Sequence, residues 1–273
     1  MTSTTSFAET AREHSTELKV GRATVRYRVR GTGPGLVLVH GTGSGSVSWD
    51  ALAKRFTDRY TVVLPDLSGS DPAIDDGAPL TVEMLTAQLA AVIEDSGLGR
   101  VDVVGHSLGA VVVLSLAATR PDLVRRLVPY AVYSNVEDEY LRNTLQMLRS
   151  LAGSPADFAR YAMLSAFSRQ YLNRIGRDAV EKLAGSFLPT PDRVRQLDLD
   201  LRVSIHDLLR LIEAETLVIG CAHDAMLPVE NARAVHAAIP GSRYAELDSG
   251  HVARLERPDE LVTLIRDFLD APA

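Results

Sequence analysis

The sequence has a single cysteine, Cys221, and only three lysines among its 273 residues. One cysteine excludes an intramolecular disulfide and a cysteine-based zinc cluster. The longest apolar stretch, residues 108–118, is much shorter than the ~20 residues that a membrane-spanning helix needs. Residues 1–18 are rich in serine and threonine and lack the apolar segment of a signal peptide. These absences predict a soluble, cytoplasmic protein.

An excess of positive charge is also missing, since 29 Lys and Arg face 35 Asp and Glu for a net charge of −6. Nucleic acids are bound through concentrated positive charge, so this balance disfavours them as partners. The composition, 46% hydrophobic and 23% charged, is typical of a globular protein. We therefore expect a small-molecule substrate, no nucleic acid and no membrane, and a monomer or a homodimer.

Hydrophobic patterning predicts a mostly parallel sheet with helices on both faces. Alternating apolar and polar residues at 16–20 and 22–30 are typical of an antiparallel hairpin. Six further strands are predicted, most of them from continuous apolar runs, at 35–40, 61–64, 101–104, 126–131, 216–219 and 242–247. Helical patterns lie between most of these strands, at 49–56, 81–95, 108–120, 230–238 and 258–269. Repeated strand–helix units of this kind predict an α/β fold with an eight-stranded sheet.

The alternation is interrupted between residues 134 and 210, where the pattern indicates three or four helices and no buried strand. We predict an α/β core from 1–133 and 211–273, with 134–210 inserted as a helical cap. Eight of the 15 aromatic residues lie between Tyr130 and Phe187. They could line a pocket for a fairly large hydrophobic substrate, or pack the cap helices together. The cap arginines are expected on a solvated face, with an anionic carrier as the alternative partner; they are residues 142, 149, 160, 169, 174 and 177.

The pattern G-x-S-x-G occurs at Gly105-His-Ser-Leu-Gly109, between a predicted strand and a predicted helix. Glycines on either side of the serine leave room for a sharp, strained turn that exposes its hydroxyl. Ser107 is therefore the candidate nucleophile. A glycine-rich turn with an idle serine is the alternative.

A serine hydroxyl becomes a nucleophile when a base accepts its proton and a carboxylate orients that base. His251 lies in the loop after the last predicted strand, where catalytic groups of parallel sheets collect, and is the candidate base. His223 competes with it. Asp224 follows the preceding strand and is the candidate acid, with Asp248 as the alternative because it lies three residues before His251.

Acyl transfer also requires donors for the developing oxyanion. The backbone N–H of Leu108, first in its helix, and that of Thr42, in the loop after a buried strand, are the candidates. The glycines of Gly41-Thr-Gly-Ser-Gly45 also invite a nucleotide-binding interpretation. That interpretation fails because G-x-G-x-x-G would need a glycine at Ser46 and because no lysine follows, as a phosphate loop requires.

On these residues the sequence resembles the α/β-hydrolase superfamily over nearly the whole chain. The resemblance is carried by His40-Gly41, Trp49, Pro65-Asp66, the 105–109 motif, Gly220, Asp224, Pro228, Gly250-His251 and Glu256-Arg-Pro258. It implies a single-domain serine hydrolase with a helical cap, with Ser107 as nucleophile, His251 as base and Asp224 as acid. One departure is Leu67-Ser68, which stands where members of the family commonly have Arg-Gly.

These residues predict hydrolysis of a carboxylic ester, thioester or lactone through an acyl-enzyme, without a cofactor or a metal. The acyl group could be free or bound to a carrier or coenzyme A. Two alternatives stand beside this one: a C–C bond hydrolase, perhydrolase or lyase that uses the same triad, and a ligand-binding protein without turnover. The predicted substrate contacts are His40, Gly41, Gly43, His106, Tyr133, Tyr161, Met163 and Phe167.

Overall fold

A computed structural model describes residues 14–272 of the chain, so the prediction for residues 1–18 lies mostly outside the described residues. Eight strands form one sheet in the spatial order β1-β2-β4-β3-β5-β6-β7-β8. The strands are β1 (His14–Val20), β2 (Ala23–Arg30), β3 (Gly35–Val39), β4 (Thr61–Asp66), β5 (Val101–His106), β6 (Val124–Tyr130), β7 (Glu215–Cys221) and β8 (Arg243–Leu247). Pairs β1–β2 and β2–β4 are antiparallel and the other five are parallel. The predicted α/β-hydrolase sheet is confirmed.

The central strands are mostly apolar because helices cover both faces of the sheet. Every residue of β3 and β5 is buried, whereas β2 alternates between buried and half-buried positions, as a strand with one covered face does. The helices are α1 (Asp50–Ala53), α2 (Val82–Asp95), α3 (Leu108–Thr119), α4 (Glu139–Ser150), α5 (Pro155–Ala166), α6 (Arg169–Ala184), α7 (Pro191–Asp200), α8 (Val229–Ala238), α9 (Ala253–Glu256) and α10 (Pro258–Leu269). Side chains of α2, α3 and α8 pack on one face, and those of α1 and α10 on the other.

One predicted helix is shorter than its pattern. A 3-10 turn at Ser46–Trp49 ends where the predicted helix 49–56 begins, and only the four residues of α1 follow it. The chain leaves the helix through tighter turns, in which the amides of Arg55 and Phe56 donate to carbonyls three residues back. Trp49 and Phe56 are nevertheless buried against the sheet, as the apolar spacing requires.

Helices α4–α7 all lie in the connection between β6 and β7. Helix α6 is broken at Gly176, whose backbone (φ 78°, ψ 170°) is not helical. Three of the cap arginines form ion pairs with acidic side chains of these helices: Arg142 with Glu139, Arg149 with Asp198 and Arg160 with Glu181. From residue 14 to residue 272, no helix is long and apolar enough to cross a membrane.

The sheet order determines where a site can form. The connection after β3 leads to β4 on one side, and the connection after β5 leads to β6 on the other, so the two loops diverge. Such a divergence opens a crevice at the carboxyl edge of a parallel sheet. The loops after β3, β5, β6, β7 and β8 all leave from this edge, which brings Thr42, Ser107, Tyr133, Asp224 and His251 to the same end of the molecule.

Candidate active site

Ser107 occupies the sharp turn between β5 and α3. Its backbone adopts φ 55° and ψ −121°, a conformation that a residue with a side chain rarely takes. The strain is of order 1–3 kcal/mol and is held by the surrounding structure. The Ser107 amide donates to Tyr130 O at 3.2 Å, and its carbonyl accepts from Ala110 N at 2.8 Å. The turn therefore presents the hydroxyl at the beginning of a buried helix.

The two glycines of the motif are required by close packing. A Cβ at Gly109 would lie 2.4 Å from His40 O and 2.6 Å from Val39 O, and one at Gly105 would lie 2.5 Å from Gly109 O. Gly41 touches the turn from the β3 side, where a Cβ would come 3.0 Å from Ser107 Cβ. The loop that carries the Thr42 amide is thus packed directly against Ser107.

His251 and Asp224 form a buried pair next to this turn. His251 Nδ1 lies 2.7 Å from Asp224 Oδ2, and both side chains are almost fully enclosed. The other carboxylate oxygen, Oδ1, accepts the amides of Met226 at 2.9 Å and Leu227 at 2.8 Å. With Nδ1 used by Asp224, the Nε2 atom is the nitrogen left for proton transfer.

His106 supports the His251 loop from beneath. Its ring stacks on Tyr130 with centroids 4.6 Å apart, and its Nε2 donates to His251 O at 3.0 Å. Arg254 Nη1 lies 3.3 Å from the other ring nitrogen, Nδ1. Burial lowers the pKa of His106 well below its usual range, so the ring is neutral and can donate from one nitrogen and accept at the other.

The competing histidine and carboxylate pair with each other elsewhere. His223 Nε2 lies 2.6 Å from Asp248 Oδ1, and both side chains are about half exposed. Asp248 also accepts from Arg257. His223 and Asp248 are therefore occupied at the surface, whereas Asp224 and His251 share the buried hydrogen bond.

A cavity opens above Ser107, between the carboxyl edge of the sheet and helices α4, α5 and α7. Ser107, His251, His106, Thr42 and Tyr133 line its floor. Apolar side chains make most of its walls: Leu145, Leu148, Phe158, Ala162, Ala166, Phe187, Leu197, Met226, Leu227 and Val252. Among residues 14–272, the Ser107 hydroxyl makes no hydrogen bond, so it is free to turn toward His251 or toward a ligand.

Six of the predicted substrate contacts do not line this cavity. His40 is buried, with Nδ1 donating to Gly41 O at 2.9 Å and Nε2 accepting from Leu67 N at 3.2 Å, so it joins two loops of the core. Gly41 lies beneath the turn, and Gly43 is covered by Arg193. Met163 and Phe167 pack among the cap helices. Tyr161 is half-buried against the core. Only His106 and Tyr133 of the eight reach the cavity.

The cavity also contains a carboxylate that sequence reasoning missed. Asp200, the last residue of α7, is buried and accepts from Thr42 Oγ1 at 2.6 Å and from Tyr133 OH at 2.8 Å. Burial raises the pKa of Asp200 to about 6. Gln196, one turn earlier, is also buried. One signal in the sequence was available. Gln196 and Asp200 are four residues apart, so on a helix they lie on the same side as the apolar Leu197.

The cap also touches the loop that carries His251. Glu256, buried in α9, accepts from Ser168 N at 2.9 Å and from Ser168 Oγ at 2.5 Å at the beginning of α6. A Cβ at Gly250 would lie 2.6 Å from Ser168 N and 2.7 Å from Glu256 Oε1. Within the part of the chain that the structure describes, no group of three or more His, Cys, Asp or Glu could hold a metal ion.

Comparison with known proteins places this geometry in a family context. A profile of the Alpha/beta hydrolase family matches residues 36–264. The chain is 39% identical over 258 residues to pyrrolizixenacetamide deacetylase of Xenorhabdus hominickii, covering 93% of this chain and 97% of the relative.

Two solved structures show the same fold. The enol-lactonase from Burkholderia xenovorans LB400 superposes with a TM-score of 0.84 at 21% identity, over 94% of this chain and 100% of that one. A thermophilic esterase from Thermogutta terrifontis superposes with a TM-score of 0.81 at 24% identity, over 94% and 98% of the two chains.

Proposed function

Because the chain belongs to the alpha/beta hydrolase family, we propose that it is a serine hydrolase whose nucleophile, base and acid are Ser107, His251 and Asp224. The observation that carries this proposal is the buried hydrogen bond of 2.7 Å between His251 and Asp224, in the wall of the cavity that Ser107 also lines. A binding protein would need none of these three groups in this arrangement. The intact constellation therefore favours turnover over binding alone.

The reaction begins when the Ser107 hydroxyl attacks the carbonyl carbon of the substrate. His251 Nε2 accepts the hydroxyl proton, and Asp224 stabilises the imidazolium that forms. The carbonyl oxygen becomes an oxyanion. When the tetrahedral intermediate collapses, His251 gives the proton to the leaving group and an acyl-enzyme remains. His251 then takes a proton from water, the resulting hydroxide attacks the acyl carbon, and Ser107 is released with its proton restored.

The backbone amides of Leu108 and Thr42 are the proposed donors to the oxyanion. Leu108 is the first residue of α3, where amides have no partner within the helix. The contact of Gly41 with Ser107 supports the second assignment, because it brings the following peptide beside the nucleophile. A donor of this kind contributes about 3–4 kcal/mol where it has been removed in other hydrolases.

We further propose that residues 134–210 act as a cap that selects the acyl compound. Helices α4, α5 and α7 supply eight of the lining residues, six of them apolar, which supports a hydrophobic ester, thioester or lactone. The cavity is about 70 Å³, and an ordered water needs about 10–15 Å³ by that measure. A fairly large substrate therefore requires the cap helices to move apart as it enters.

Amide hydrolysis is the second candidate. The relative at 39% identity is named a deacetylase of an acetamide, and it aligns with nearly all of this chain. An amide nitrogen leaves only after protonation, and the same His251 can supply that proton. Short acyl groups on nitrogen should accordingly be tested beside those on oxygen.

The nucleophile is tested by Ser107→Ala. We expect hydrolysis of p-nitrophenyl butyrate to fall by about 10⁴-fold or more, because no other hydroxyl can form the acyl-enzyme. Labelling by a fluorophosphonate should disappear as well. A variant that hydrolysed the ester at the parent rate would rule out this function.

The acid is tested by a matched pair of substitutions. Asp224→Asn should lower kcat by on the order of 10³–10⁴, because the amide stabilises the wrong tautomer of His251. Asp248→Asn, in the neighbouring surface pair, should leave kcat within about twofold of the parent because surface substitutions have small effects. The opposite ranking would show that the acid has been misassigned.

A further inference from the structure

Helix α7 directs three polar side chains toward the loop that follows β3. Arg193, Gln196 and Asp200 are three and four residues apart, so they share one face of the helix. They are called the α7 clamp below. Gln196 and Asp200 are both buried. Burying polar groups is costly unless each is hydrogen-bonded, so the partners of these side chains are informative.

All three side chains bond to two consecutive residues of the loop. Arg193 Nη2 donates to Gly43 O at 2.6 Å, and Gly43 N donates to Gln196 Oε1 at 2.6 Å. Thr42 Oγ1 donates to Asp200 Oδ2 at 2.6 Å. The helix therefore fixes both the Thr42 side chain and the backbone of Gly43, the residue that follows it.

The clamp reaches two other loops of the carboxyl edge. Gln196 Nε2 donates to Ser68 O at 2.9 Å in the loop after β4, and Tyr133 OH donates to Asp200 Oδ1 at 2.8 Å after β6. Packing at these contacts leaves no spare room. A Cβ at Gly43 would lie 2.0 Å from Arg193 Nε, and one at Gly69 would lie 2.5 Å from Gln196 Cγ.

We propose that the α7 clamp orients the Thr42 amide for the oxyanion, so that this donor is in its catalytic position only while α7 is seated on the core. Gln196 and Asp200 are positioning residues, because they act on the reaction through the Thr42 peptide. This inference rests on the proposed function. An oxyanion donor must be held to within about 0.5 Å and 10–20° of its productive position to be effective. A loop peptide without contacts of this kind would not be held that closely.

If the α7 clamp acts in this way, breaking it should lower kcat while leaving KM nearly unchanged. Gln196→Met keeps the side-chain volume but removes the acceptor for Gly43 N and the donor to Ser68 O. Substrate still meets the same apolar walls, so KM for p-nitrophenyl butyrate should change by less than about threefold. kcat should fall by about tenfold or more, since the oxyanion loses a correctly oriented donor.

A transition-state analogue separates positioning from a general loss of structure. A trifluoromethyl ketone forms a serine adduct that carries an oxyanion, and its Ki should rise by the same factor as kcat/KM falls in Gln196→Met. Asp198→Asn is the matched control. Asp198 is on the same helix but pairs with Arg149 near the surface, so this variant should stay within about twofold of the parent in kcat, KM and Ki.

A second pair of variants covers the case in which Gln196→Met fails to fold. Thr42→Val keeps the backbone amide and the shape of the side chain but removes the donor to Asp200, and it should lose kcat in the same way. Thr42→Ser restores the hydroxyl and should recover most of the kcat that Thr42→Val loses. Thermal unfolding of each variant records its stability.

The outcomes are distinct. An unchanged Ki for the ketone despite a lower kcat, or equal losses in Thr42→Val and Thr42→Ser, would overturn the clamp. A parent enzyme that neither hydrolyses the ester nor labels at Ser107 would instead overturn the proposed function, whatever the clamp variants do.

Discussion

At the scale of single residues, Asp200 is the least expected feature of the site. Its carboxyl group is enclosed by protein, yet the two groups that bond to it are neutral hydroxyls of Thr42 and Tyr133. The basic side chains that line the same cavity are His106, His251, Arg193 and Arg254. Burial outweighs the hydroxyls and raises the pKa of Asp200 from 3.8 to about 6. Folding therefore favours the protonated form of this side chain.

Asp200 should make stability depend on pH. Because its pKa is higher in the folded chain, its contribution is fully present below about pH 4 and is lost as pH rises through about 6. Asp200→Asn stays neutral, so its free energy of unfolding relative to the parent should rise over this range. The shift of about two pH units corresponds to about 3 kcal/mol. Urea unfolding at several pH values measures it.

The surface variant Asp198→Asn is the control for the effect of replacing a carboxylate on the same helix. A constant difference between Asp200→Asn and the parent would show that Asp200 does not titrate in this window.

Chain order is most informative for residues that follow a motif or the end of a strand. A motif and the ends of predicted strands make Ser107, Asp224 and His251 the candidates, and the structure places Ser107 and His251 in the lining of one cavity with Asp224 hydrogen-bonded to His251. Asp200 and Gln196 gave no such signal. Their partners lie 67 to 158 residues away in sequence, and only the docking of α7 brings them together.

At the scale of elements, the β5–α3 turn shows why short motifs can be predictive. The helix after Ser107 is buried from Leu108 to Ala117, and it approaches β3 so closely that only glycine fits at position 109. The glycines of the motif therefore reflect the close packing of α3 against β3, and its serine supplies the hydroxyl group. The cap helices carry no comparable constraint, so their boundaries could not be derived from apolar spacing alone.

Gly109→Ala tests this packing requirement. The new Cβ would lie 2.4 Å from the carbonyl oxygen of His40 and 2.6 Å from that of Val39. Both are backbone atoms, which cannot move aside as the end of a flexible side chain can. We expect a loss of about 1–3 kcal/mol in the free energy of unfolding, measured in urea. Gly153→Ala is the control, because that position has open space around it and an ordinary backbone conformation. Equal effects of the two substitutions would contradict the packing account.

At the scale of the whole molecule, Arg126 joins the last helix to the sheet. It extends from β6, its Nε lies 3.0 Å from Glu215 Oε2 of β7, and its Nη atoms donate to the carbonyls of Leu269 and Ala271. Leu269 is the last residue of α10, where carbonyls lack partners within the helix, and Ala271 follows the helix by two residues. One buried guanidinium thus connects two strands with the C-terminal end of the fold.

Arg126→Met should destabilise the whole chain. The substitution keeps an apolar stem but leaves the terminal carbonyls of α10 unpaired, at an expected cost of about 2–3 kcal/mol in a urea titration. The same change at Arg142, which forms an exposed pair with Glu139, should cost less than about 1 kcal/mol. A similar cost at both positions would mean that Arg126 does not hold the C-terminal helix.

The sheet could be predicted because continuous apolar runs and their order along the chain define parallel strands. The cavity could not, because its walls come from α4, α5 and α7 together and depend on how those helices are tilted over the core. Tyr161, Met163 and Phe167 illustrate this limit of composition. They belong to the aromatic and apolar cap segment, but Met163 and Phe167 pack among the cap helices and Tyr161 packs against the main core, so none of the three lines the cavity above Ser107.

The attachment of the cap by polar bonds has a consequence for redesign. Polar bonds hold it at α7, at the Ser168–Glu256 contact and at the Asp138–Asn231 contact, whereas Leu145, Leu148, Phe158 and Ala162 face the cavity with apolar side chains only. Natural variation or a mutant library could therefore replace these four side chains while leaving the polar contacts between cap and core unchanged. New acyl preferences should arise on α4 and α5 without rebuilding the chemistry beneath them.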